Sequence, residues 1–245
     1  MTRVSPNNFY SIILKLIIIL SASCGVFLSL IMGEGPGLNF KALLYFTLQS
    51  NIGLMLWSIV MAAAMIDEVK NKKSVIKRWM YVLQFDLTIC ITLTGFVFCF
   101  ILLPTLHWDA NNLCNILLHI VTPIAAIIDF LAFGPKKTFT YKNAVATIIL
   151  PLCYLGFVSI CYFAKVSFAI KGEYFPYFFL NYGSPAGFFG FSDKMPYFMG
   201  SFYWIASLIL IFIGIASLYV KILNRKKEKA EPEISNPAEE PQLIK

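Results

Sequence analysis

Six stretches of this chain run for about twenty residues or more with almost no charge, the length a helix needs to cross the hydrocarbon core of a bilayer. They fall at 10–32, 42–66, 80–103, 113–133, 144–164 and 199–221. Short polar segments separate the first five, and a longer one, 165–198, precedes the sixth. The pattern predicts an all-α polytopic membrane protein, a bundle of six transmembrane helices within residues 1–221. Residues 222–245 are charged and proline-containing and are expected to form a disordered tail. LSASC at 20–24 has the small residues of a lipoprotein cleavage site. The apolar run continues past Cys24 through GVFLSLIM, however, so the first segment is expected to stay as a helix.

Lysine and arginine give the bundle a direction. Segment 67–80 carries five, 134–143 three, and the chain from Lys221 onward six. Segment 33–41 carries one, 104–112 none, and 165–198 only three over a greater length. Positive charge collects on the cytoplasmic side, so both termini are expected to be cytoplasmic. Composition agrees with the class. Charged residues are 13% of the chain, against ~25% in ordinary soluble domains. Hydrophobic residues are 58% and the mean hydropathy is +0.73. The net charge of +7 sits in short clusters between apolar runs, which argues for membrane orientation and against a nucleic-acid partner. The six cysteines all lie in apolar runs without metal-ligand spacing. They are expected to behave as small buried hydrophobes. Neither a metal nor a cofactor is expected.

Residues 174–191, YFPYFFLNYGSPAGFFGF, hold nine aromatics in eighteen positions. They are expected to lie in the outer interface as an anchor belt. The sharper alternative is a lid, or the mouth of a lipid site.

Polar residues inside the spans carry the candidate chemistry. Thr47, Ser50 and Asn51 follow i, i+3, i+4 spacing and share a helical face. Bonding between helices is the ordinary use of such residues in a membrane. His119 is less ordinary, because an ionisable group in a span is a functional candidate by default. Asn115 and Thr122 share its face. Pro123, at i+4, brings no N–H to its carbonyl, so the backbone there is expected to be irregular. With the second span entered near Ala42, Thr47 lies ~7 Å below the outer edge, and His119 lies ~9 Å below it. A hydrogen bond between the two is therefore geometrically allowed. A threonine hydroxyl becomes a nucleophile when a neighbouring base takes its proton, and the base needs an orienting partner. Asn115 and Asp109 are candidates for that partner. Asp86 and Asp129 form a second pair of matched depth near the cytoplasmic side. Asp129 is expected to pair with Lys136 or Lys137, and Asp86 to bond a neighbouring helix or water. A cation or proton path is the alternative. Lys15 is expected to snorkel to the interface. His107, Trp108 and Asp109 are expected to form a solvated turn or, alternatively, to cover a site entrance.

KALLYFTLQSN, LLHIVTPIAAIIDF and the long aromatic segment before the last span resemble one family. It is the androgen-induced and androgen-dependent protein family of small multi-pass membrane hydrolases, with its bacterial six-span relatives. The resemblance covers the whole six-span layout. It implies an intramembrane threonine hydrolase that cleaves fatty acid esters of hydroxy fatty acids, with the two family positions on Thr47 and His119. In that chemistry Gln49, Ser50, Asn51 or backbone amides are the candidates to stabilise an oxyanion. The implied partner is a membrane lipid or lipid ester. The implied location is the plasma membrane, if the chain is bacterial. Two other function classes fit the same residues. One is an ion- or proton-coupled transporter or channel using His119, Asp86 and Asp129. The other is a non-catalytic lipid-binding protein in which the polar residues only join helices.

Overall fold

The structure, a computed structural model, describes residues 6–32, 37–106, 112–134, 139–168 and 174–230. Six helices are long and apolar enough to cross a membrane: Asn8–Ile31, Phe46–Asn71, Arg78–Thr105, Leu113–Phe133, Tyr141–Phe163 and Ser201–Arg225. No β-sheet occurs among the described residues; one isolated bridge joins Phe191 to Met199. The all-α, six-helix class expected from the sequence is therefore what is observed. Several boundaries moved, most at the second and sixth spans; the second ends at Asn71 and not at 66. The second span starts at Phe46 and not near residue 42, because Phe40–Leu44 forms a separate 3₁₀ turn. The sixth helix continues to Ala230, so the first part of the expected tail is helical.

Spans one to four form a square. The first packs on the second and fourth, and the third packs on the same two. Spans five and six flank the third. The third span is the central element: 56% of its apolar window is buried, against 22% for the sixth. It carries Gln84, Thr88 and Thr94 as buried polar residues, with side chains bonded along and between helices. Phenylalanines fill its contact with the fourth and with the chain that follows it: Phe85 lies 5.7 Å from Phe130, centroid to centroid, and 5.0 Å from Phe139, just before the fifth. The outer faces of the bundle expose large apolar side chains such as Leu20, Phe100, Ile160 and Leu210, as suits a helix surface whose solvent is lipid.

Two spans depart from α geometry. A π turn occupies Phe98–Leu102 in the third, and another occupies Leu117–Val121 in the fourth. Each ends two residues before a proline, Pro104 or Pro123, whose missing N–H breaks the α ladder at that point. The irregularity expected around His119 is thus present, since His119 lies inside the second π turn. Two glycines let the neighbouring helices close on it. A methyl group on Gly95 would lie 3.0 Å from the His119 carbonyl oxygen, and one on Gly25 would lie 2.6 Å from the Leu118 side chain. The fifth span starts at a capping box between Thr140 and Asn143 and breaks at Thr147, four residues before Pro151.

Candidate functional site

Thr47 is the second residue of its helix. The 3₁₀ turn Phe40–Leu44 and the extended backbone of Tyr45 set the helix start there. A first-turn position leaves its N–H without a helical acceptor and at the positive end of the helix dipole. His119 reaches the same point from the fourth span, diagonally across the square. Its Nε2 lies 3.3 Å from the Thr47 Oγ1. On the other side of the ring, Nδ1 lies 3.2 Å from the Asn115 carbonyl oxygen. A carbonyl only accepts, so Nδ1 carries the proton and Nε2 presents its lone pair to the threonine hydroxyl. Phe98, from the facing π turn, stacks on the imidazole at 4.0 Å and 17° and fixes its plane. Thr47 and His119 are 8% and 6% exposed, so their contact is largely sheltered from solvent.

Tyr177 completes the group. Its phenol oxygen accepts the Thr47 N–H at 3.4 Å and lies 3.4 Å from the Thr47 Oγ1. Burial pushes this phenol up to about 12, so it stays protonated and can donate. The donors and acceptors then form a consistent set. Tyr177 O–H points at Thr47 Oγ1, Thr47 O–H at Nε2, and Nδ1–H at the Asn115 carbonyl. Nothing in the sequence distinguishes Tyr177 from the eight other aromatics of 174–191. Phe98 carries no signal either, being a phenylalanine in an apolar span.

The expected helpers divide. Asn115 orients the ring through its main-chain carbonyl and not through its amide. Asp109, the other candidate, lies outside the described residues with His107 and Trp108. Ser50 donates to the Thr47 carbonyl at 3.1 Å and touches Thr94 Oγ1 at 3.0 Å. Asn51 donates to the Thr47 carbonyl at 2.8 Å and to the Leu118 carbonyl at 3.3 Å. Both side chains are turned to backbone below Thr47, so they hold the second helix against the third and fourth. Gln49 is exposed and donates to the Leu43 carbonyl, away from His119. As oxyanion donors, the Thr47 N–H and the Tyr177 hydroxyl are better placed than any of these three side chains.

A cavity of about 110 Å³ opens beside the Thr47–His119 pair. Apart from Thr47, Thr94, His119, Tyr154 and Tyr177, its wall is apolar. The aromatic segment forms its roof. Phe178, Phe179 and Leu180 are buried, Phe178 meets Trp204 at 5.4 Å, and Tyr177 stacks on Phe179 at 5.1 Å. Part of the segment expected to be an anchor belt therefore folds inward over the cavity, as in the lid alternative. Phe189 and Phe191 stay exposed in the manner of a belt.

The remaining ionisable groups sit elsewhere. Lys15 does not snorkel. It is 2% exposed and paired with Asp129 at 2.5 Å. Ser11 accepts from Lys15 and donates to Asp129, and Gln84 donates to Asp129 at 3.2 Å. Snorkelling is pointless where a counter-ion on the adjacent helix already neutralises the ammonium. The lysines expected to pair with Asp129, Lys136 and Lys137, lie outside the described residues. Among the described residues Asp86 shares no bond with Asp129, and its Oδ1 is buried without a hydrogen-bond partner. No protein-family model, curated protein or solved structure matches the chain.

Proposed function

We propose that this protein is an intramembrane hydrolase of lipid esters, with Thr47 as nucleophile and His119 as general base. The observation that carries the reading is the 3.3 Å contact between the Thr47 hydroxyl and a lone pair of His119, set in the wall of an apolar cavity. The resemblance of KALLYFTLQSN and LLHIVTPIAAIIDF to the androgen-induced and androgen-dependent protein family supports it. That resemblance makes a fatty acid ester of a hydroxy fatty acid, or a similar ester, the substrate class. In the first step Thr47 Oγ1 attacks the ester carbonyl while Nε2 takes its proton. The Thr47 N–H and the Tyr177 hydroxyl stabilise the oxyanion. The tetrahedral intermediate collapses, and the leaving alkoxide takes the proton from Nε2. Water then attacks the acyl-threonine while Nε2 takes its proton; the intermediate collapses, Thr47 Oγ1 leaves and recovers that proton from Nε2, and the carboxylic acid departs. The Asn115 carbonyl holds the imidazole in the required tautomer throughout. With both termini cytoplasmic, the site lies toward the outer leaflet, in the plasma membrane if the chain is bacterial.

An apolar cavity by itself would serve a non-catalytic lipid-binding protein equally well; the activated hydroxyl separates the two readings. A fluorophosphonate probe tests it on purified protein. Wild type gains one adduct by intact mass, and Thr47→Ala and His119→Ala, both folded, gain none. Wild type that stays unlabelled and inert toward a series of lipid esters would sink the proposal.

A further inference from the structure

The fifth and sixth spans each carry an apolar stripe that borders the core and faces the cavity. On the fifth, Ile148, Pro151, Leu152 and Leu155 line the cavity at i, i+3, i+4, i+7. On the sixth, Ile205, Leu208, Ile209 and Phe212 line it at the same spacing. Such a stripe is what a helix ordinarily buries against another helix. Here the two stripes face the same space instead of each other. The two spans meet through Tyr141–Ala146, but have little direct contact along Ile149–Phe163.

The space also has an exit. Leu152 lines the cavity yet is 41% exposed. It is eleven residues from either end of Tyr141–Phe163, so it lies ~16 Å from each end of its span, where the surroundings are hydrocarbon. Toward the other end the cavity is roofed by Tyr177, Phe179 and Leu180 against Trp204. The way in from water is covered by aromatic rings, and the way in from the bilayer is a gap between two apolar stripes.

Taking Thr47 and His119 as the hydrolytic pair, we propose that the gap between the fifth and sixth spans is a lateral portal for a long-chain acyl ester. The mid-span residues Leu152, Leu155, Leu208 and Phe212 then hold the acyl chain while the ester carbonyl lies at Thr47. A chain in this position covers both stripes and removes their apolar surface from competition with bulk lipid. The same wall makes chain length, more than the headgroup, the property the enzyme selects.

Two measurements test this, one independent of turnover. Wild-type protein in nanodiscs is photolabelled with a long-chain fatty acyl ester bearing a diazirine at mid-chain, and labelled peptides are mapped. The expected result is label concentrated on 148–155 and 205–212 and displaced by excess unlabelled long-chain ester. Label spread evenly over lipid-facing residues such as Leu20 and Leu210 overturns the portal. The second measurement compares kcat/KM for p-nitrophenyl palmitate and p-nitrophenyl butyrate. Leu152→Trp and Leu208→Trp, checked for folding by their melting temperatures, should lower the palmitate-to-butyrate ratio by about tenfold or more, the scale on which apolar pockets discriminate methylenes. Leu210→Trp, on the lipid-facing side of the sixth span, should leave the ratio unchanged. An unaltered ratio in both cavity variants, with active enzyme, overturns the portal while the hydrolase stands. Concentrated, displaceable photolabel on a protein that hydrolyses nothing leaves the portal standing and removes the hydrolase.

Discussion

Removing either member of the Lys15–Asp129 pair should be among the most damaging single changes in this protein. Each residue is 2% exposed, and the ion pair is closed by Ser11 and Gln84. Lys15→Met strands a carboxylate with Ser11 and Gln84 as its donors among the described residues. Asp129→Leu strands an ammonium with the Ser11 oxygen as its acceptor among them. An unpaired buried charge costs about 3–5 kcal/mol, which corresponds to a shift of roughly two to three and a half powers of ten in the folding equilibrium. The double variant strands no charge, so it should recover most of the loss and lie near wild type, with a coupling energy of several kcal/mol. Unfolding of the four proteins in mixed micelles by a denaturing detergent, followed by helical circular dichroism, gives the complete cycle. A loss of less than about 1 kcal/mol in either single variant, the range of an exposed ion pair, would refute a buried pair. Single effects that simply add would refute it too, because the two groups would then not be one unit.

Further expectations concern the site. Tyr177→Phe removes one oxyanion donor and should lower kcat about 10²–10³-fold with the fold intact, as read by steady-state hydrolysis. Thr47→Ser keeps a hydroxyl on the same helix turn and should retain fluorophosphonate labelling that Thr47→Ala loses. Gly95→Ala sets a methyl 3.0 Å from the His119 carbonyl and should destabilise the protein by about 1–3 kcal/mol in the same unfolding assay. Asn51→Ala releases the Thr47 and Leu118 carbonyls together and should lower stability by about 1–3 kcal/mol, with a loss of labelling rate that Gln49→Ala does not share.

The membrane-spanning layout was legible because it depends on local composition: twenty apolar residues declare a span wherever their neighbours lie. Thr47 and His119 were legible because each is polar in an apolar helix, and counting residues from the outer edge put them level. Their contact holds although the count began four residues early on the second span, since a 3₁₀ turn occupies Phe40–Leu44. What the sequence hid is long-range. Lys15 and Asp129 are 114 residues apart, and a lysine near the end of a span is equally compatible with snorkelling. Tyr177 contacts Thr47 across 130 residues from an irregular segment with no periodicity to place it. Gln49, Ser50 and Asn51 follow one another in sequence, but consecutive residues on a helix point about 100° apart, so one of the three had to face outward.

The π turn at Leu117–Val121 gives the fourth span a phase as well as a shape. It closes its hydrogen bond over five residues where an α turn uses four, so it holds one residue that a straight helix would not need. Deleting Ile120 or Val121 would restore the ordinary ladder and keep the flanking turns in phase, but it would remove the widened turn on which His119 sits. The imidazole would lose its place opposite Thr47 while the ion pair stayed. Conservative replacement of either residue would leave both alignments alone. The fourth span therefore stores the geometry of its reactive group as a count rather than an identity. In any related chain, the ten-residue step from histidine to aspartate is the quantity to compare.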